Sequence, residues 1–492
     1  MLRNTRTVVV VALGVVAATA LAGCRPAAPP REPFRAADFT INKIADQPFA
    51  GFTITGDVVG NRDLEIISTS LNIQPQPPIN GVPQRPLIVP GEMKVYQGSG
   101  TSYTAIDVIT PADGLVFPNR PTVSDVDGDG KRDIIVPSGT FFTRAGGPAL
   151  GKGAMTWWKN NGNGTFTRNN VITGVNGSYH VAIHVDFDGD GVKDIVTNFE
   201  DGGFPSYPFG PPVPFAKPIT QVEYFKGLGG GAFAAAPTKI ADGGGSLPSV
   251  VDMDRDGDLD VVSAQYFGVK SNAGGGPQGT VTDESFVWFE RTGTAADGLD
   301  SSDFTKRIIA RGLGESFEVL PIDNLDGDGK YGAIGINHVN TAIAGTTVVP
   351  QVVRLTPGAD IRAPWTVTRI DSGFTIDDFR PGQAAPGFAS YGDIDGDGDT
   401  DIALSGDSDT TFYWLERKGD GSWAQRDLIA EFGTVGNFGQ GSVSVADLNR
   451  DGRNELVISS FNSNTVEIIR RNAGTGGLFP SIPRVPDSFL PY

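Results

Sequence analysis

Asp125-Val-Asp-Gly-Asp-Gly-Lys-Arg-Asp133, followed directly by Ile134-Ile135-Val136, is the stretch that decides the fold of this chain. Carboxylates stand at positions 1, 3, 5 and 9 of the run, and Gly130 falls where the backbone must turn. Such a cluster has no place in an apolar core. Carboxylates this close repel one another unless a cation lies among them.

A hard divalent ion that takes six to eight oxygens is the matching counter-charge, and calcium is the first expectation. The run is like the first half of an EF-hand loop, but that motif ends in a bidentate Glu at position 12 and lies between helices. Here position 12 is Val136 and the flank is β-branched, so the loop leads into a strand.

The loop recurs along the chain, which points to a repeat architecture. Asp186-Phe-Asp-Gly-Asp-Gly-Val-Lys-Asp194, Asp252-Met-Asp-Arg-Asp-Gly-Asp-Leu-Asp260 and Asp393-Ile-Asp-Gly-Asp-Gly-Asp-Thr-Asp401 are complete copies, and Asp447-Leu-Asn-Arg-Asp-Gly-Arg-Asn-Glu455 is a conservative variant. Two copies have decayed. Asn324 to Gly332 has lost the last carboxylate, and Asp57 to Glu65 has lost the second ligand and the turn glycine. The loops lie roughly 55 to 70 residues apart, against about 40 to 50 for common propeller blades.

Each loop sits in a larger unit. A short run of small and apolar residues precedes it, such as Thr122-Val-Ser124 or Ser442 to Ala446 (strand A), and an apolar run follows it, such as Ile134-Ile-Val136 or Leu456-Val-Ile458 (strand B). A third run is aromatic, as in Val95-Tyr96, Trp157-Trp158, Tyr224-Phe225, Val287-Trp-Phe289 and Tyr413-Trp414 (strand C). A fourth opens on an aromatic and ends apolar, as in Phe166 to Ile172, Phe304 to Ile309 and Trp423 to Ile429 (strand D). Four short antiparallel strands repeated seven times predict an all-β, seven-bladed propeller, in which radial closure removes open edges. A linear array of open units is the structural alternative.

Closure predicts something specific at the N-terminus. Asp38-Phe-Thr-Ile-Asn-Lys-Ile44 is a D-type strand standing before the first loop, whereas the C-terminal candidate, residues 477–485, carries two prolines and makes a poorer strand. Residues 38–45 are therefore expected to complete the seventh blade beside strands from the C-terminal end.

The repeat, Asp-x-Asp-x-Asp-Gly-x-x-Asp, then an apolar strand, then an aromatic strand of the Val-Trp-Phe-Glu or Trp-Trp-Lys-Asn type, resembles the FG-GAP/VCBS repeat family, related to the propeller of integrin α subunits. Clean Phe-Gly and Gly-Ala-Pro motifs are missing, so the VCBS-type bacterial branch is the better likeness. The resemblance implies calcium in the A–B turn, at about four to five sites. Its side-chain ligands would be Asp125, Asp127, Asp129 and Asp133; Asp186, Asp188, Asp190 and Asp194; Asp252, Asp254, Asp256 and Asp260; Asp393, Asp395, Asp397 and Asp401; and Asp447, Asn449, Asp451 and Glu455. The position-seven ligand would be a backbone carbonyl, from Lys131, Val192, Asp258, Asp399 or Arg453.

The remaining features place the chain in the cell and bound its chemistry. Arg3 and Arg6, an apolar run from Val8 to Ala22 and Leu21-Ala-Gly-Cys24 read as a secretory signal whose last four residues resemble a bacterial lipobox, with a run too short for a comfortable membrane span. Residues 1–23 would be the signal peptide, Cys24 the lipidated mature N-terminus, 24–37 a Pro-rich tether, 38–486 the propeller and 487–492 a tail. Cys24 is the single cysteine, so no disulfide forms within the chain. A formal net charge of −18 argues against nucleic acid as a partner.

Of the histidines, His180 and His184 share a strand and could point into the channel or toward a metal, but two do not make a zinc site. No Gly-x-Ser-x-Gly elbow, phosphate-cradling glycine loop or cysteine nucleophile is present, and acid pairs are too numerous for a glycosidase dyad to be singled out.

In a four-stranded blade the A–B and C–D turns share one face of the disc and the B–C and D–A connections share the other. The long connections, 72–92, 138–153, 199–220, 268–285 and 371–388, all belong to the second face. One carries Phe204-Pro-Ser-Tyr-Pro-Phe-Gly-Pro-Pro-Val-Pro-Phe215, aromatics on a stiff frame suited to stacking on sugars or packing on a protein. The expected function is a non-catalytic, calcium-stabilised propeller, lipid-anchored to the bacterial envelope or surface and binding a polysaccharide or protein partner through that face. The alternative is a polysaccharide lyase or glycoside hydrolase, favoured by a deep charged pocket at the channel mouth lined by His180, Arg380 or Glu200.

Overall fold

A computed structural model describes residues 39–61, 63–74, 87–140, 152–201, 219–245, 247–266, 283–294, 298–338, 348–374, 386–406, 411–428, 441–461 and 463–472. The leader, Cys24, the tether, the aromatic-proline stretch 204–215, Arg380 and the strand candidate 477–485 lie outside them. So does most of each long connection on the second face.

The chain forms seven four-stranded antiparallel blades in a propeller ring. Blades 1 to 6 occupy residues 50–109, 122–175, 178–242, 249–311, 316–369 and 389–427, and each takes its strands in the order A, B, C, D from the axis outward. The acidic loops are the A–B turns of every blade, so strands A and B exist as a hairpin folded around them. Blade 7 is composite. Its strands Gly441–Ala446, Glu455–Ser460 and Thr465–Arg471 are completed by Phe39–Asp46 from the N-terminus, with Ile41 opposite Ile469 and Thr40 opposite Arg470. The expected closure of the seventh blade by the N-terminal strand is borne out over Phe39–Asp46, and the linear array is excluded.

Inner strands hold the ring together through short side-chain hydrogen bonds to backbone. Ser442 Oγ accepts from Thr53 N at 2.6 Å and Ser444 Oγ donates to Thr53 O at 2.7 Å, tying blade 7 to blade 1. Thr122 Oγ1 donates to Ala182 O at 2.5 Å between blades 2 and 3. The apolar core is correspondingly divided among blade interfaces: Ile54, Ile67 and Val95 of blade 1 meet Ile134, Val136 and Trp158 of blade 2 in one such cluster. Trp288 and Trp414, from strand C of blades 4 and 6, are fully buried, which explains the aromatic third run.

The axis is filled at the end where the A strands begin. Arg120, leading into blade 2, pairs with Glu318 of blade 5 at 2.8 Å, a contact that must cross the axis of a seven-membered ring. Phe388 packs on Phe52 at 4.8 Å and on Phe317 at 5.1 Å between ring centroids, which joins blades 6, 1 and 5. Two small hairpins were not foreseen from the sequence, 73–74 with 87–88 and 227–229 with 232–233.

Candidate metal centres

The A–B loops share one local construction, built from carboxylates hydrogen-bonding their own backbone. The position-1 carboxylate accepts from the position-6 amide: Gly130 N to Asp125 at 3.0 Å, Gly191 N to Asp186 at 3.0 Å, Gly257 N to Asp252 at 3.0 Å and Gly398 N to Asp393 at 2.9 Å. The position-3 carboxylate accepts from position 5, as in Asp129 N to Asp127 at 3.1 Å, and position 5 accepts from position 7, as in Lys131 N to Asp129 at 2.9 Å. Position 4 is left-handed, with Gly128 at φ 78°. Arg255 and Arg450 adopt the same region at φ 63° and 59° where the other loops place glycine.

Four loops draw three carboxylates to within 4.8 Å of one another: Asp125, Asp127 and Asp133; Asp186, Asp188 and Asp194; Asp252, Asp254 and Asp260; Asp393, Asp395 and Asp401. The fifth-position residues Asp129, Asp190, Asp256 and Asp397 stand outside these triads. In the fifth loop Asp447 and Asp451 keep the backbone pattern, with Gly452 N to Asp447 at 2.9 Å, but the acids there are not gathered into a triad. In the degenerate loop Asn324 makes the same bond to Gly329 N at 2.7 Å, and Leu325 packs against Gly332 where the ninth carboxylate would stand.

The ninth-position carboxylate carries a role the sequence pattern did not disclose. Asp133 is fully buried and accepts from Val126 N at 2.9 Å in its own loop and from Asn160 N at 2.8 Å at the end of strand C. Asp194 does the same with Phe187 N and Gly227 N, Asp260 with Met253 N and Arg291 N, and Asp401 with Ile394 N and Arg417 N. Each therefore clamps the A–B loop to strand C. The signal that could have revealed it is the restriction of this position to Asp or Glu in six of the seven loops.

Burial dominates the electrostatics of these groups. It raises the Asp260 carboxyl to about 8 and that of Asp194 to about 6, and lifts Asp401 well above the usual range, while backbone amides pull the other way. Asp395 is pushed up to about 7 by burial and then by the neighbouring charges of Asp397, Asp393 and Glu416.

The donor sets suit a hard divalent cation, because every converging atom is an oxygen. Asp127 and Asp129 each give one oxygen to a backbone amide and leave the other to a cation, whereas Asp125 and Asp133 accept amides on both oxygens and are fixed in place by them. A stand-in cation makes the same point. The Lys159 ammonium lies between the outer oxygens of Asp127 and Asp129, 2.8 Å from the latter, and Lys226 lies likewise between Asp188 and Asp190, 2.7 Å from the latter. These carboxylates hold both lysines above their ordinary pKa.

The histidines serve the core. His184 Nδ1 is 2.8 Å from Ser124 Oγ, and burial lowers its pKa to about 3, so the ring is neutral. His180 Nε2 lies 3.2 Å from Glu200 with both side chains buried, and His338 stacks on Phe317. None of the three joins an acidic triad.

A family model described as FG-GAP-like repeat matches residues 141–197 and 393–458, so the chain carries FG-GAP-like repeats. No curated protein matches the chain. Among solved structures it is similar to a lectin from Agrocybe aegerita described as recognising non-reducing terminal N-acetylglucosamine (14% identity, 87% of this chain and 86% of that chain, TM-score 0.40). It is also similar to the Dos1 propeller (11% identity, 88% and 96%, TM-score 0.43) and to BBS1N in complex with ARL6DN (7% identity, 89% and 97%, TM-score 0.43).

Proposed function

We propose that the protein is a calcium-stabilised propeller that works by binding: the A–B loops hold calcium on one face, and the opposite face, with its long B–C and D–A connections, meets a polysaccharide or protein partner. The observation that carries this reading is the convergence of three aspartates in each of four A–B turns, all on one face, with a lysine ammonium already drawn to two of them. Calcium would neutralise a triad and pin strands A and B; the protein's own part is to hold Asp133, Asp194, Asp260 and Asp401 against the end of strand C so that the other carboxylates are aimed inward. At calcium a hundredfold above its dissociation constant, each site would stabilise the fold by about 2.7 kcal/mol.

Binding without catalysis is supported by the described part of the channel mouth, where Arg120 with Glu318 and His180 with Glu200 are buried pairs. The leader pattern and Cys24 support export and lipid anchoring to the bacterial envelope, with membrane contact through the lipid only and no nucleic acid as partner. Two measurements test the reading. The melting temperature is expected to rise with calcium and fall in EDTA; an unmoved melt refutes the metal role. A glycan array and a protein pull-down, run beside an assay for sugar release, are expected to show binding without turnover; turnover refutes the non-catalytic role.

A further inference from the structure

The four triads are alike in the loop and differ in what faces them. In the four blades with a triad, the residue before the strand C amide that binds the ninth carboxylate occupies one equivalent register: it is Lys159 in blade 2 and Lys226 in blade 3, but Glu290 in blade 4 and Glu416 in blade 6. Both lysines place their ammonium on the third- and fifth-position carboxylates and keep about a third of their side chain exposed. Both glutamates are nearly buried and stand on strand C opposite the ninth carboxylate, at the register the lysines occupy in blades 2 and 3. In blade 5, where the acidic loop has decayed, the residue at this register is Thr356, which donates to Asp326 at 3.0 Å.

The cations near the two glutamates are placed differently from the lysines. Arg362 reaches over from blade 5 and bridges Asp254 and Glu290, and Lys418 and Arg426 both engage Glu416. Blade 4 thus also has a cation on a triad carboxylate, brought by the neighbouring blade, whereas in blade 6 both cations stand on the glutamate; in blades 2 and 3 the ammonium comes from strand C itself and stands on two carboxylates of the loop.

From this we infer that the strand C residue facing each loop sets its divalent-ion affinity: Lys159 and Lys226 are tethered counter-cations that the ion must displace, Glu290 holds Arg362 on Asp254 as a borrowed one, and Glu416 adds negative charge to its site. The consequence is two classes of site on one disc. Blades 2 and 3, and blade 4 through Arg362, keep their loops folded at low calcium at the expense of affinity, and blade 6 depends on the ion and fills first. The inference rests on the calcium reading above.

Calorimetric titration of the full chain with calcium chloride, with melts in EDTA and in excess calcium, tests it on wild type, K159M/K226M and E416Q. Wild type is expected to show a tight and a weak class. K159M/K226M is expected to raise the affinity of the weak class about twofold to fivefold, the range for removing one cation from partly exposed ion pairs, and to lower the melting temperature in EDTA. E416Q leaves the lysines in place and is expected to weaken the tight site by a similar factor, which keeps the test decisive if the double variant folds poorly. Calcium binding with affinities unchanged in both variants overturns this inference and leaves the calcium reading standing. Absence of calcium binding in wild type overturns both.

Discussion

The ninth-position aspartate is at once a clamp on strand C and a member of the acidic triad, and substitution separates the clamp from the charge. Removing Asp194 strands the amides of Phe187 and Gly227 in a buried setting, so D194A should cost about 2–4 kcal/mol even in EDTA. Asp190 lies outside the triad and pairs with the partly exposed Lys226, so D190A should cost much less than D194A in EDTA, read by chemical denaturation. Equal losses would refute the clamp. Titration gives a second handle. Burial raises Asp260 to about 8 and Asp194 to about 6, so between the ordinary aspartate range and those values the folded protein binds more protons than the unfolded chain. Metal-free stability must then fall as pH rises through that window, and the melting temperature in EDTA should be higher at pH 5.5 than at pH 8.5. Excess calcium, which holds the carboxylates ionised, should abolish the difference; a flat profile in EDTA would show that these acids are not desolvated.

Among the elements, the N-terminal strand Phe39–Asp46 closes the ring while packing no deeper than half-buried. Its contribution comes from pairing along Thr465–Arg471 and from covering an edge that would otherwise stand open. A chain beginning at residue 48 should lose about 3–5 kcal/mol, the sum of half-buried isoleucines and lost ladder bonds, and limited proteolysis should cut blade 7 first. An unchanged melt and cleavage map would refute the latch.

This strand was legible before any coordinates because its aromatic-to-apolar pattern matches the D strands of blades 2, 4 and 6 and because the alternative at 477–485 carries two prolines. The acidic turns were legible for a similar reason, since spacing fixes which carboxylates share a loop. Spacing says nothing about a residue arriving from another strand. Lys159, 30 residues beyond Asp129, and Arg362, 108 beyond Asp254, meet those aspartates only after the blades have folded. The two extra hairpins were missed because each is two or three residues long and glycine- or proline-flanked, too short for any alternation to register.

At the scale of the whole molecule, the propeller is closed twice, once at its rim by the composite blade and once on its axis by Arg120 and Glu318. The axial pair joins more than two blades, because Glu318 Oε2 also accepts from Ala389 N at 2.8 Å at the start of blade 6. Burial raises the Glu318 pKa and the Arg120 guanidinium opposes that rise, so the carboxylate depends on its partner to stay charged. Breaking such a pair leaves one uncompensated buried charge and costs about 3–5 kcal/mol, whereas removing both charges costs much less. R120M should therefore destabilise strongly near neutral pH and less on acidification, as Glu318 takes up a proton; E318Q keeps an acceptor for Ala389 N but leaves Arg120 unpaired. The double variant R120M/E318Q should be more stable than the sum of the singles predicts by at least about 1.5 kcal/mol, measured as a double-mutant cycle in denaturant. Additive losses would mean that the two side chains stabilise their own blades separately. Coupling would mean that blades 2, 5 and 6 are fixed to one another across the axis, which is the rigidity a platform needs if long connections on that same face are to hold a partner.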